Sequence, residues 1–192
     1  MRGTKVAVLV SDGFEQIEFD GPTEALKEAG ATIEVLAEDE AHLTSIKGVH
    51  HFDPAKGTHG DRLLEDARPA QYDALLIPGG LASPDTMRRS EPHLQFVREF
   101  VESGKPTFVI CHGGWLLADA NVAQGRRVTS WPGIRRDLER AGAHWSDEAV
   151  VVDENLVTSR MPADIPAFTD AILESLRSST GGTRQREKPM PR

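Results

Sequence analysis

Apolar residues in this chain gather into short continuous runs closed by polar, glycine-containing turns, and between those runs they recur at helical spacing. Val6-Ala7-Val8-Leu9-Val10, rich in β-branched residues and closed by Ser11-Asp12-Gly13, reads as a strand buried on both faces of a parallel sheet. Gly21-Pro22 predicts a helix start, with proline tolerated in the first turn. The helix carries Ala25, Leu26 and Ala29 on one face and stops at Gly30. Thr32 to Leu36 reads as the second strand and Ala74 to Ile77 as another. A helix from about Pro84 to Ser103 then leads into the strand Thr107-Phe108-Val109-Ile110. The β-α-β order predicts an α/β fold.

Between Glu38 and Arg68 the polar residues predict turns joining short edge strands. Val150-Val151-Val152 and Leu156-Val157-Thr158-Ser159, flanking Asp153-Glu154-Asn155, predict a hairpin, and Pro162 to Leu176 has the apolar spacing of a final helix. The pattern is that of one domain over residues 1–177. A polar tail is predicted over 178–192, where serine, glycine and basic residues leave little to bury.

Composition narrows the function. At 192 residues with 39% apolar residues, the chain has material for one sizeable core. A formal charge of −8 repels phosphate, which argues against nucleic acid or an anionic membrane as main partner and favours a small neutral substrate or a protein. No apolar run is long enough to span a bilayer, and the apolar stretch near the N-terminus is too short for a signal peptide. A single cysteine cannot form an internal disulfide, so a reducing, cytoplasmic setting is expected. His50, His51 and His59 stand in polar surroundings that no cysteine or closely spaced acid completes as a metal site. No Gly-x-Gly-x-x-Gly or Walker pattern calls for a nucleotide, and no cofactor is expected.

The remaining cysteine is the chemical centre of the sequence. Cys111 directly follows the strand ending at Ile110 and precedes His112-Gly113-Gly114, after which Trp115 to Ala120 reads as a helix. The thiol therefore belongs to a strand-to-helix elbow, where backbone N–H groups and the helix dipole lower a thiol pKa and two glycines admit a substrate. Free cysteine is also a common small core residue. The flanking sequence favours the nucleophile.

Ile110-Cys111-His112-Gly113, Ile77-Pro78-Gly79-Gly80, Phe14-Glu15 and Thr129-Ser130-Trp131-Pro132-Gly133-Ile134 together resemble the DJ-1/PfpI superfamily. The likeness is to its PfpI-like branch of intracellular proteases, general stress proteins and deglycases, and it runs from roughly Lys5 to Leu176. It implies a flavodoxin-like three-layer sandwich with a mostly parallel central sheet. It also implies a homo-oligomer, at least a dimer, with the active site near a subunit interface.

By position, the resemblance makes Glu15 the acid facing the nucleophile, while Glu18, Glu24 and Glu28 fit a solvated helix face. His112 needs the bend of the elbow to approach the sulfur. Asp85 of an adjacent subunit corresponds to the acid that orients His112, and equally suits a helix first turn. The amides of Gly80 and of the residue after Cys111 resemble an oxyanion hole, and Trp131 a pocket wall. Trp115 replaces the proline common in relatives.

A glutamine amidotransferase would need a late His-x-Glu, and no histidine follows His144. The resemblance leaves three functions. The first is a cysteine-dependent stress-response hydrolase acting on reactive carbonyls or glycated protein adducts. The second is an intracellular peptidase with a Cys111–His112–Asp85 triad. The third is a non-enzymatic redox sensor in which Cys111 is oxidised.

Overall fold

The computed structural model describes residues 1–183. In chain order the elements are β1 (Lys5–Leu9), β2 (Phe14–Glu15), α1 (Gln16–Glu28), β3 (Thr32–Ala37), α2 (Glu40–Thr44), β4 (Gly48–His50), β5 (Asp53–Pro54) and β6 (Arg62–Leu63). There follow β7 (Ala74–Ile77), α3 (Ala82–Met87), α4 (Glu91–Glu102), β8 (Thr107–Ile110) and α5 (Gly114–Asp119). The chain continues with β9 (Arg127–Val128), α6 (Arg135–Arg140), β10 (His144–Trp145), β11 (Val150–Asp153), β12 (Leu156–Ser159) and α7 (Ile165–Thr183).

The central sheet has the order β11-β12-β8-β7-β1-β3-β6, and every pairing is parallel except that of β11 with β12. Alternation along β1 divides the core. Val6 and Val8 face the layer of α1 and α7, with Leu26, Phe168 and Ile172. Ala7 and Leu9 face α4, α5 and α6, with Val97, Phe100, Leu117 and Leu138. Burying a side chain of this size stabilises the fold by about 2 kcal/mol, so both faces of the sheet are held. The result is the expected three-layer, mostly parallel α/β sandwich. Among the described residues no helix is long and apolar enough to cross a membrane.

Three boundaries differ from the sequence pattern. Helix α1 begins at Gln16, and Pro22 lies inside it rather than in its first turn. Proline there removes only the bond to the Glu18 carbonyl, and the helix start is set by the chain leaving β2. The long helix expected from Pro84 to Ser103 is two, α3 and α4, separated at Ser90, which is extended (φ −105°) ahead of Pro92 at the start of α4. Helix α7 runs on through Thr183, beyond the predicted limit at residue 177, because extending an anchored helix costs far less than nucleating it. The rest of the predicted tail, residues 184–192, lies outside the described residues.

Candidate active site

Strand β8 ends at Ile110, and the next residue, Cys111, takes a left-handed backbone (φ 60°) that an L-residue adopts at a cost of about 1 kcal/mol. The chain passes through a tight turn over Cys111–Gly113 into α5. The Cys111 carbonyl accepts the Trp131 N–H at 3.3 Å, fixing the turn from outside. Cys111 itself is buried, 6% exposed. The bend brings neighbours together as the elbow requires: Nδ1 of His112 lies 3.3 Å from Sγ of Cys111.

The opposing wall is the turn after β7. At Gly79 a Cβ atom would stand 2.6 Å from Cβ of Cys111 and 2.6 Å from Oε2 of Glu18, so only glycine lets the turn approach this closely. Gly80 has φ 87° and presses against the backbone of residues 13–15. The backbone N–H groups of Gly80 and His112 both donate to the Cys111 sulfur. They are the pair of amides that the resemblance singled out.

The acid against the sulfur is Glu18, and here the expectation from sequence is corrected. Glu18 is wholly buried rather than on a solvated helix face. Its Oε2 accepts the Gly79 N–H at 2.8 Å, and its carboxyl is hydrogen-bonded to Cys111. Oε1 is buried with no protein partner. Glu15 instead turns to the hairpin β4–β5: its Oε2 accepts the His51 N–H at 2.8 Å, and its Oε1 lies 3.4 Å from Nδ1 of His50. The reason is helical phase. With α1 starting at Gln16, Glu18, Pro22 and Leu26 fall at i, i+4 and i+8 on the buried face, whereas Glu15 precedes the helix. Glu24 and Glu28 are exposed, as expected.

Burial holds the Glu18 carboxyl up at about 8, against the hydrogen bonds from Cys111 and Gly79, so it carries its proton at neutral pH. Burial also pushes the Cys111 thiol up, Glu18 as an anion would add to the effect, and the His112 and Gly80 amides oppose it. The elbow therefore does not by itself lower this thiol, because desolvation outweighs the amides. The two groups titrate as a pair, and protonating Glu18 removes its repulsion of a thiolate. Burial lowers the His112 pKa, leaving a neutral ring at pH 7.

Glu15, Glu18, His51, Phe52, Gly80, Leu81, Cys111, His112, Trp131 and Pro162 enclose a pocket of 340 Å³. Trp131 forms a wall, with its ring stacked on His112 at 5.8 Å. Phe52 at the rim is 84% exposed. Asp85 is exposed in the first turn of α3 and pairs with Arg89 at 3.6 Å. His112 has no charged partner among the described residues.

Fold and pocket together define an α/β protein that presents one thiol on a strand-to-helix elbow, between two backbone amides and a protonated carboxyl. The chain belongs to the DJ-1/PfpI family, which it matches over residues 4–175. It is 43% identical to "Protein/nucleic acid deglycase 2" of Escherichia coli K12, over 90% of this chain and 97% of that protein. It is 41% identical to "Putative cysteine protease YraA" of Bacillus subtilis 168, over 90% of this chain and 98% of that protein. The fold superimposes on Schizosaccharomyces pombe DJ-1 with a TM-score of 0.79 at 26% identity, covering 97% of this chain and all of the other (100%).

Proposed function

We propose that this protein is a cysteine-dependent hydrolase of reactive carbonyls, acting on 2-oxoaldehydes or on the adducts they form with protein side chains. The reading rests on one observation: the Cys111 sulfur is met at once by a neutral base, His112, and a protonated acid, Glu18. The deglycase name of the Escherichia coli relative agrees with it. A reducing, cytoplasmic setting and a homo-oligomeric stress protein are part of the same reading.

In this mechanism Sγ adds to the aldehyde carbon while the thiol proton passes to Nδ1 of His112. The carbonyl oxygen takes up charge beside the Gly80 and His112 amides. Glu18 gives its proton to that oxygen, and the carboxylate so formed carries the proton of the first carbon to the second, leaving a thioester; His112 returns the thiol proton to Glu18, and water hydrolyses the thioester and restores the thiol. The sum is addition of one water to a 2-oxoaldehyde to give a 2-hydroxy acid. No external oxidant is needed. On a protein adduct, the side-chain amine or thiol leaves as the carbonyl fragment passes to Cys111.

Peptide hydrolysis is the second reading, supported by the name of the Bacillus subtilis relative. It needs an acid on His112, and Asp85 of the same chain is turned to Arg89, so a second copy of the chain has to supply it. Oxidation of Cys111 beside a carboxyl that can hydrogen-bond the product would add a sensing role.

The test is turnover of methylglyoxal, of a methylglyoxal-modified peptide and of unmodified peptides by the wild type and Cys111→Ala. Carbonyl turnover that disappears in Cys111→Ala supports the proposal. Cleaved peptide bonds favour the second reading. If neither occurs while Cys111 oxidises readily, the protein is a sensor and the enzyme assignment is wrong.

A further inference from the structure

We propose that Trp115 is the positioning residue of His112, so that an aromatic clamp within one chain does the work of an orienting carboxylate. The imidazole of His112 touches two indoles: Trp115 at 5.1 Å between ring centroids, tilted by 55°, and Trp131 at 5.8 Å, stacked at 26°. Contacts at these distances and angles are the favourable ones for aromatic pairs. They leave the ring little freedom to turn Nδ1 away from the sulfur.

Trp115 is itself braced from two directions. Its Nε1–H donates to Oδ2 of Asp137 on α6 at 2.8 Å. The Arg88 guanidinium lies 4.6 Å from the ring centroid. Arg88 is in turn fixed by Asp119 at the end of α5, with Nε 2.5 Å from Oδ2 and Nη2 3.3 Å from Oδ1. This amount of support exceeds what a half-buried side chain needs merely to cover the core. It joins the segment after α3 and both α5 and α6 to one ring, and that ring faces His112.

In this chain the orienting acid expected from a neighbouring subunit is Asp85, shorter than glutamate. An intrachain clamp makes the direction of His112 independent of that reach. The inference rests on the reading of His112 as proton acceptor, but the placement of its ring is measurable without any turnover.

The experiment compares Trp115→Leu, Trp115→Phe and Asp137→Ala with the wild type. Nitrogen NMR of the His112 ring reports its tautomer and mobility, and the alkylation rate of Cys111 by iodoacetamide reports the proton acceptor beside it. The wild-type ring is expected to hold the Nε2–H tautomer that leaves Nδ1 free to accept; in Trp115→Leu it is expected to lose that preference, and alkylation to slow about tenfold, the upper worth of such aromatic contacts. If methylglyoxal is turned over, kcat falls by about the same factor, with KM changed less than about twofold. Trp115→Phe, which keeps a ring face, restores alkylation to within about threefold.

Wild-type His112 signals and alkylation in Trp115→Leu overturn the proposal. So does a Trp115→Phe variant as impaired as the leucine one. Should Trp115→Leu fail to fold, Asp137→Ala removes the acceptor of the indole N–H and leaves both rings in place, and unchanged His112 signals there also overturn it. Loss of methylglyoxal turnover from the wild type itself would count against the carbonyl reading alone, because the NMR and alkylation results stand without it.

Discussion

Glu15 and Glu18 sit on one short stretch of chain, and each accepts a backbone N–H at 2.8 Å, yet they serve opposite walls of the pocket. Glu18 grips the Gly79 amide and holds the turn after β7 against Cys111. Glu15 grips the amide of His51 (φ 58°), at the tip of the hairpin β4–β5 beside the exposed Phe52. Both Cys111 and His51 have a left-handed backbone. One, the proposed nucleophile, is locked in the core, and the other ends in a residue facing solvent. Both carboxyls are buried, but Glu18, wholly enclosed against Cys111, keeps its proton, while Glu15 meets the half-exposed His50 ring.

The sharpest way to break this contrast is to neutralise each carboxyl in turn. Glu18→Gln is expected to cut carbonyl turnover by about 100-fold or more, the usual loss when a positioned proton carrier is removed. Glu15→Gln should leave kcat within about threefold, because the pocket wall moves but no proton carrier is lost. Equal losses in the two variants, measured by steady-state kinetics, would refute the division of roles.

Gly79→Ala tests the Glu18 wall while leaving both acids in the sequence. The added Cβ, 2.6 Å from both Cβ of Cys111 and Oε2 of Glu18, is expected to destabilise the fold by about 2 kcal/mol in urea unfolding and to abolish turnover. A variant with wild-type stability and activity would mean the turn has room to retreat.

Stability against pH sharpens the comparison further. The folded-state pKa of Glu18, about 8, lies above its ordinary value of 4.5, so the folded protein binds this proton more tightly than the unfolded chain. That contribution is intact below pH 4.5 and is lost as pH rises toward 8. Glu18→Gln is therefore expected to gain stability relative to wild type as pH rises, by about 3 kcal/mol between pH 4.5 and 7. Urea unfolding of both proteins from pH 5 to 8 reads the difference. Parallel curves for Glu18→Gln and wild type would show that the carboxyl is not held protonated.

The smallest effect belongs to the hairpin. Phe52→Ala removes a side chain that is 84% exposed, so Tm should not move. KM for a methylglyoxal-modified peptide is expected to rise about threefold while kcat is unchanged. An unaltered KM would remove the rim from substrate binding.

Much of this was legible in the chain. The continuous β-branched runs at Val6–Val10 and Thr107–Ile110 can be satisfied only by strands covered on both sides, and the structure places them in the sheet. The Cys111-His112-Gly113 elbow and the Gly79-Gly80 turn follow from residue types adjacent in sequence. The acid was misread because its position was carried over from the resemblance and not from helical phase. Setting Glu18 in phase with Pro22 and Leu26 would have put it on the buried face, a signal present in the sequence but masked by proline's usual position. The break between α3 and α4 was likewise marked by Ser90-Glu91-Pro92.

What the sequence determined by itself was the local part: which segments are strands or helices, where the thiol sits, and which turn must be glycine. Those properties depend on neighbours a few residues apart and on the period of burial. The tertiary structure alone decided that Glu18 meets Gly79, 61 residues away, that Glu15 serves the hairpin, and that Trp115 reaches His112 while anchored to α6. It also reversed the expected effect of the elbow on the thiol, because desolvation depends on everything packed around a group and not on the residues beside it in the chain.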